Sequence, residues 1–498
     1  MPSTLPFRLF AAARLVPALP LAGMLALSGC AVGPDYMPVQ APLASAYASQ
    51  DALHSVQTTS PASTVSLDTW WLDFHDPALT RIVERVLAQN LDMAAAEARI
   101  AQARAAAAEA GATYLPRIDL QGSAARQRQS LESPLGRIGS ALPGYDRNQT
   151  LTQLGVGASW ELDLAGGQRR AAEAARAEAQ AANALHAGTR VSVAADAADA
   201  YFRLRGLQAN IAIVKEQIDA NARLASLVRD RVANGVATRR EAAEADARLA
   251  QTRALLPPLD AQRVRESNRL DILMGSPPGT FSAELAAAAA DFSVPALSGD
   301  IRPEALLRRR PDVVAAERRL AAANAEIGSA LAEYYPHVSL SGILGFEALN
   351  GPLFKSAAFQ PGALAGLRWR LFDFGRVDAE VAHARGRYAE ALAQYRQAVL
   401  RAAEDVENAV TMWAHVSEQR DEVAREVDAE AAAQRAAREA YAQGDASLVE
   451  VLIEDRQLLS ARAELARLKA DHARAAVATF RALGGGWHSD DPTVAASR

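Results

Sequence analysis

Gln153-Leu154-Gly155-Val156-Gly157-Ala158-Ser159-Trp160-Glu161-Leu162-Asp163-Leu164 alternates without a break. In an extended chain, Leu154, Val156, Ala158, Trp160, Leu162 and Leu164 share one side. Gln153, Gly155, Gly157, Ser159, Glu161 and Asp163 share the other, so one face is wholly apolar and the other polar or small. Strands of about 10 residues suit a membrane barrel with lipid outside and water inside. Taken alone, the stretch fits a half-buried soluble sheet better. Trp160, near the strand end, adds the amphipathic ring expected at a membrane interface.

The stretch has a twin. Trp160-Glu161-Leu162-Asp163-Leu164, followed by Gly166, recurs as Trp369-Arg370-Leu371-Phe372-Asp373-Phe374 and Gly375. Outward from it, Tyr114-Leu115-Pro116 recurs as Tyr334-Tyr335-Pro336, Asn234-Gly235 as Gln443-Gly444, and Met274-Gly275 as Leu483-Gly484. A nearly constant offset over so many landmarks marks a tandem duplication. In each copy a helical stretch (69–112 and 301–333) is ended by Pro116 or Pro336, which forces extended geometry on the residue before it. Two strands then follow, the second copy's carrying Val338, Leu340, Gly342, Leu344 and Phe346, then Ala365, Leu367, Trp369 and Leu371 on one side. Four strands per chain cannot close a barrel, since the smallest have about eight. The edges must be shared: two chains give eight strands, three give twelve.

Beyond the strands lie long helices. From Gly166 to Ala233 there is no proline, and at ~1.5 Å per residue the stretch reaches roughly 100 Å. Val193, Ala197, Ala200, Leu204, Leu207, Ile211, Val214, Ile218, Asn221, Ala225, Val228 and Val232 recur by alternate fours and threes, a coiled-coil seam of period 3.5. The second copy, 376–442, keeps Val399, Ala403, Val406, Val410 and Trp413 and then turns polar. Gly235 and Gly444 mark reversals, where glycine tolerates positive φ. Returning helices follow at 237–274 and 446–482; Pro257-Pro258 must break the first, and the second has no counterpart.

At the N-terminus, Arg8 and Arg14 precede an apolar run, Leu15 to Leu27, too short to span a bilayer as a helix. It ends in Leu27-Ser28-Gly29-Cys30, and Cys30 is the only cysteine, so disulfides within the chain are excluded. The pattern resembles a bacterial lipobox, in which the thiol carries diacylglycerol, the new amine an N-acyl chain, and the leader is removed; Ala31 in the next position implies sorting to the outer membrane. The formal charge of -5 gives no general attraction to nucleic acid, and Pro311-Asp312 closes the basic run Arg308-Arg309-Arg310 at once.

Catalysis finds no support. The histidines (54, 75, 186, 337, 383, 415, 472 and 488) are scattered without a pair at ligand spacing. There is no phosphate-binding glycine loop and no nucleophile elbow. The chain reads as a non-enzyme with no cofactor or metal beyond the acyl groups on Cys30.

Several stretches carry a family resemblance: the lipobox with Cys30-Ala31-Val32-Gly33-Pro34-Asp35-Tyr36, Trp71-x-x-Phe74 with Asp76-Pro77-x-Leu79, Arg310-Pro311-Asp312-Val313 leading to Ala322-Ala323-Asn324-Ala325-Glu326-Ile327-Gly328, and Leu483-Gly484-Gly485-Gly486-Trp487. With these the chain resembles the outer-membrane factor (TolC-like) family of efflux and secretion ducts, in its lipoprotein branch. The resemblance implies a mostly α fold with a membrane β-barrel portion. It implies a homotrimer, twelve strands continuous with a twelve-helix periplasmic tunnel, partnered by a periplasmic adaptor and an inner-membrane pump of the resistance-nodulation-division type. The function it implies is passive exit of small toxic compounds across the periplasm and outer membrane. Two other readings stay open: a type I protein-secretion duct, or a periplasm-spanning structural lipoprotein, which would leave the strands unused.

The layout expected is a signal peptide (1–29), a lipid-anchored segment (30–67), repeat 1 (68–290) and repeat 2 (296–487), with a tail (488–498). Strands are expected at 115–126 and 150–164, then at 336–347 and 362–374, with hairpin tips at 234–237 and 443–447. By the resemblance, the narrow end of the tunnel is closed by Tyr441, Val449 and Glu450, while Ile453 stands where the family has a second acidic position and Glu454 is adjacent. Three carboxylates around a threefold axis repel, favouring cation binding or a shared proton. Gly235, Thr238, Gly444, Ser447 and Leu448 resemble the adaptor-docking tips.

Overall fold

A computed structural model describes residues 31–57, 66–286, 292–297 and 302–488. Cys30, the leader and the tail lie outside them. In chain order the elements are α1 (Gln50–Val56), a 3-10 turn (Leu67–Phe74), α2 (Pro77–Gln89), α3 (Leu91–Ala112), β1 (Arg117–Arg128), α4 (Pro134–Ser140), β2 (Asn148–Leu162), α5 (Gly167–Ala233), α6 (Arg239–Ala254), α7 (Leu256–Leu273), α8 (Ser282–Ala286), α9 (Pro303–Arg309), α10 (Pro311–Ala332), β3 (His337–Leu349), β4 (Phe359–Arg368), α11 (Arg376–Gln443) and α12 (Leu448–Ala482). The chain forms two compact units, and they are not the two sequence repeats: each takes segments from both copies.

The first unit holds the sheet. Its order is β1-β2-β3-β4, every neighbour antiparallel. The register aligns Leu120, Val156, Leu344 and Pro361 across it, and likewise Ile118, Ala158, Gly342 and Ala363. Leu154 pairs with Phe346 and that in turn with Phe359, while Trp160 pairs with Leu340 and that with Ala365. From Leu162 to Thr152 the rows of this face are apolar or small, giving way to Arg126–Thr150 and Arg128–Asn148 at one end, and Ile118, Leu120, Val156, Leu344 and Leu367 remain exposed. Gln153, Ser159 and Glu161 lie on the opposite face beside Ser123, Glu347, Ser341 and Ser339. A soluble sheet would cover its apolar side; this one leaves a continuous apolar face bare and a polar face behind it.

The duplication shows in hydrogen bonds. Trp160 Nε1–H donates to the Tyr114 carbonyl and Trp369 Nε1–H to the Tyr334 carbonyl, both at 2.9 Å. The fourth strand stops at Arg368, six residues before the expected end at 374. Beyond it the Asp373 carboxylate accepts from the Gly375 and Val377 amides, and Phe374 and Gly375 take positive φ. That carboxylate turns the chain into α11, so Trp369 and Leu371 lie past the strand. The longer loop of the first copy contains α4, capped by Ser133.

The second unit is helical around an aromatic core. Trp70 stacks on Phe480 at 5.5 Å, and Phe74 packs on Phe202 at 5.0 Å. Asp76 caps α2 at the Ala78 and Leu79 amides and accepts the Tyr201 hydroxyl at 2.5 Å. The Arg310 guanidinium binds Asp312, Asp405 and the Ala482 carbonyl, joining α10, α11 and α12. Trp487 Nε1–H donates to the Arg309 carbonyl, and a Cβ at Gly484 would lie 2.3 Å from that same oxygen. These contacts account for three of the sequence motifs as packing devices.

Along α5, Val193, Ala197, Ala200, Leu204, Ile211, Val214, Asn221, Ala225 and Val228 are buried, in the spacing of the seam. The second seam is buried at Val399, Val406, Val410 and Trp413, whereas Ala403 is only half-buried. The helix breaks at Leu255 just before Pro257-Pro258, and α12 runs unbroken. No helix among the described residues is long and apolar enough to cross a membrane, which says nothing of a barrel.

Candidate gate and hairpin tips

Both hairpin tips are built alike. At the end of α5, Val236 N–H donates back to the Arg231 carbonyl at 2.9 Å, with Gly235 at φ +74. At the end of α11, Asp445 N–H donates to the Ala440 carbonyl at 2.9 Å, with Gly444 at φ +90. Such 6→1 bonds satisfy the orphan carbonyls of a helix end, and glycine takes the left-handed position without strain. A Cβ on either glycine would meet open space.

Each return helix starts with a reciprocal capping box. Thr238 accepts from the Glu241 amide while the Glu241 carboxylate accepts from the Thr238 amide and hydroxyl. These bonds hold the Glu241 carboxyl below its usual range. Ser447 and Glu450 repeat the arrangement in the second copy. Glu450, expected in an acidic ring, thus also ties down the first turn of α12.

Of the expected tip residues, Gly235, Thr238, Gly444 and Ser447 are exposed. Leu448 is a correction: at 1 % exposure it is a core residue, packed with Ala225, Val228 and Ala245 of the first hairpin. It faces inward because α12 must bury one side against α5 and α6. Tyr441 packs against the same cluster, under the Arg231 guanidinium at 4.9 Å from its ring. Val449 and Ile453, one helical turn apart, stay 43 % and 40 % exposed on either side of the exposed Glu450.

The sequence reading missed Asp455. It is 1 % exposed, and its Oδ1 accepts from Gln434 and Arg438 at 2.8 Å each. Its signal was present: Leu448, Val451, Asp455 and Leu458 follow the three-four spacing of a buried stripe, and a carboxylate there must be paired. Across from it, Arg248 of α6 has buried Nε and Nη2 atoms without a protein partner, as does Asp455 Oδ2. Burial and neighbouring Arg456 push the Arg248 pKa down. In the first hairpin, Asn221 of the seam donates to Thr252 at 2.9 Å, just before the helix break.

No group of three or more His, Cys, Asp or Glu among the described residues is placed to hold a metal.

The family model for outer membrane efflux proteins matches residues 82–276 and 303–485, one stretch in each copy. The chain is 32% identical over 437 residues to the pyoverdine export outer membrane protein OpmQ of Pseudomonas putida, covering 88% of this chain and 92% of that one. Nodulation protein T of Rhizobium leguminosarum bv. trifolii is 29% identical over 468 residues, covering 93% and 96%. Among solved structures, the outer-membrane channel OprN superposes with a TM-score of 0.80 at 34% identity, over 92% of this chain and 100% of that one.

Proposed function

The chain belongs to the outer membrane efflux protein family, and from that membership we propose that it is the outer-membrane exit duct of a tripartite efflux system. The bare apolar face of the sheet carries this reading. With its register fixed, the face calls for an apolar medium to cover it, and β1 and β4 present edges that are unpaired among the described residues. Three chains placed edge to edge supply twelve strands, the apolar rows facing lipid and Gln153, Ser159 and Glu161 facing water.

Cys30 carries the lipid, and the mature protein sits in the outer membrane with its long helices in the periplasm. The exposed tips at Gly235, Thr238, Gly444 and Ser447 receive the adaptor, and a resistance-nodulation-division pump supplies cargo. Relatives bear names as different as pyoverdine export and toluene efflux, which fits a duct that leaves selection to its pump. Small toxic compounds are the proposed cargo.

The gate is formed by Tyr441, Val449 and Glu450. Glu450 brings one carboxylate per chain to this aperture, so the closed aperture admits cations before anions. Purified trimers in planar bilayers test both claims. The duct reading predicts conductance that is cation-selective, and Glu450→Ala should abolish most of that selectivity. A chain that inserts but conducts nothing would sink the duct, and unchanged selectivity would sink the role of Glu450.

A further inference from the structure

Residues Ala31 to Asp35, immediately after the cysteine, do not trail from the fold. Val32 N–H donates to the Ala165 carbonyl at 2.9 Å. The Arg170 guanidinium, 7 % exposed, donates to the Val32 carbonyl at 3.2 Å, the Gly33 carbonyl at 3.3 Å and Asp35 Oδ1 at 2.7 Å. Glu173 holds the guanidinium at 2.8 Å from the far side. Buried Asn324 donates to the Pro34 carbonyl at 2.9 Å.

Contact is close enough to need glycine three times. A Cβ on Gly33, at φ +99, would lie 2.4 Å from Gly328 Cα; one on Gly328 would lie 2.7 Å from the Val32 carbonyl oxygen; and one on Gly166 would lie 2.5 Å from Ala31 Cα. A glycine at such a place marks close backbone approach rather than a turn alone.

The duplication provides an internal control. At the offset of the strand-end glycines, Gly375 stands for Gly166 and Ala379 for Arg170. At the offset of the prolines, Arg104 stands for Asn324 and Ala108 for Gly328. A Cβ on Gly375 would meet nothing nearer than Asp378 Oδ2 at 3.9 Å. One copy has therefore acquired a cleft that the other lacks, and the cleft is filled by the chain's own first residues.

We propose that Gly166, Arg170, Asn324 and Gly328 form a receptor for the mature N-terminus that fixes where the acyl-bearing residue meets the end of β2. The inference rests on reading Cys30 as the acylated residue. Four of the contacts read backbone and one reads Asp35, so the cleft sets position along the strap rather than recognising side chains generally. A lipid tethered by a loose segment would anchor the chain anywhere within reach. A lipid one peptide bond from a clamped Ala31 enters the membrane at one place beside the sheet, and so helps set the depth of the sheet itself.

The test separates clamp from tether. A Gly-Ser-Gly-Ser-Gly-Ser insert between Cys30 and Ala31 leaves strap and cleft intact but frees the lipid by about 13 Å. The same insert between Met37 and Pro38 leaves the lipid clamped. Full-length chains are compared for radiolabelled palmitate incorporation, for hydrogen exchange of residues 31–37, and for heat-stable oligomer in the outer-membrane fraction. Palmitate should label the unmodified chain and both inserted chains, and the Val32 amide, bonded to the Ala165 carbonyl, should stay protected in all three. Oligomer should fall about tenfold for the first insert and stay within about twofold for the second. Equal oligomer from both overturns the proposal, as does release of the strap by the first insert. Absence of palmitate from the unmodified chain instead overturns the lipoprotein reading, and the proposal with it. Arg170→Ala should raise exchange of the Val32 amide about tenfold with palmitate incorporation unchanged; protection that persists also counts against the clamp.

Discussion

His472 makes the helical unit acid-sensitive in a defined window. The imidazole is 8 % exposed on α12, beside Trp413 at 6.3 Å, and Arg420 Nη1 lies 2.9 Å from its Nδ1. Burial, reinforced by the Arg420 charge and only partly opposed by Asp421, lowers its pKa from 6.5 to about 4. The folded form therefore favours neutral imidazole, which accepts the arginine's hydrogen bond. A folded pKa below the unfolded one means that unfolding takes up a proton on acidification. Its contribution to stability is complete above about pH 6.5, drains as pH falls towards 4, and changes no further below that. At 1.36 kcal/mol per unit, the loss comes to about 2 kcal/mol at pH 5 and about 3 kcal/mol at pH 4.

His472→Gln keeps an acceptor for Arg420 and removes the proton. Urea unfolding of purified protein in detergent, followed by far-UV circular dichroism from pH 8 to 4, reads the difference. The variant should lose less stability than the parent in that window, the gap opening between pH 6.5 and 4. Carboxylates that titrate in the same range act on both chains and cancel in the comparison. Curves that run parallel would refute the reasoning, since no other step depends on this group.

Three further outcomes follow from the tips. Leu448→Ala removes a fully buried side chain from the joint between hairpins and should cost about 2–5 kcal/mol, seen as a lower unfolding midpoint together with greater spontaneous conductance. Asp455→Ala leaves Gln434 and the half-exposed Arg438 without their acceptor; a loss of about 1–3 kcal/mol is expected, whereas Arg248→Met, which removes two buried guanidinium nitrogens that lack a hydrogen-bond partner, should cost less. Ser447→Ala should cost about 1 kcal/mol and raise amide exchange in the first turn of α12, a change absent if Glu450 alone holds that turn.

The parts of the fold that depend on local pattern could be read in advance. The alternation from Gln153 to Leu162 defines the bare face because a strand's side chains must alternate, although β2 ends there rather than at the expected 164. Pro116, Pro336 and Pro257-Pro258 end or break helices through their own ring and missing amide, with no help from elsewhere. The end of β4 was misjudged because Trp369 and Leu371 continue the alternation, while Asp373, acting through two amides, turns the chain. Leu448 was misplaced for a different reason. A tip residue next to a glycine turn looks exposed until a second hairpin, more than 200 residues earlier in the chain, packs over it. Asp455 was legible as a carboxylate on a buried stripe, but its partners were not. The clamp on Ala31–Asp35 had no local sign: both glycine-bearing stretches that meet at Gly33 and Gly328 stand out in the sequence, but they lie far apart in the chain and only folding brings them together.

The matched capping boxes at Thr238 and Ser447 have a consequence for association. The carbonyls that end α5 and α11 and the amides that begin α6 and α12 are satisfied within each tip, so the tips are already ordered before any encounter. A protein that docks there meets a rigid template and loses little conformational entropy on binding. Its association should therefore show a heat-capacity change set by contact area alone, smaller than the change that accompanies coupled folding.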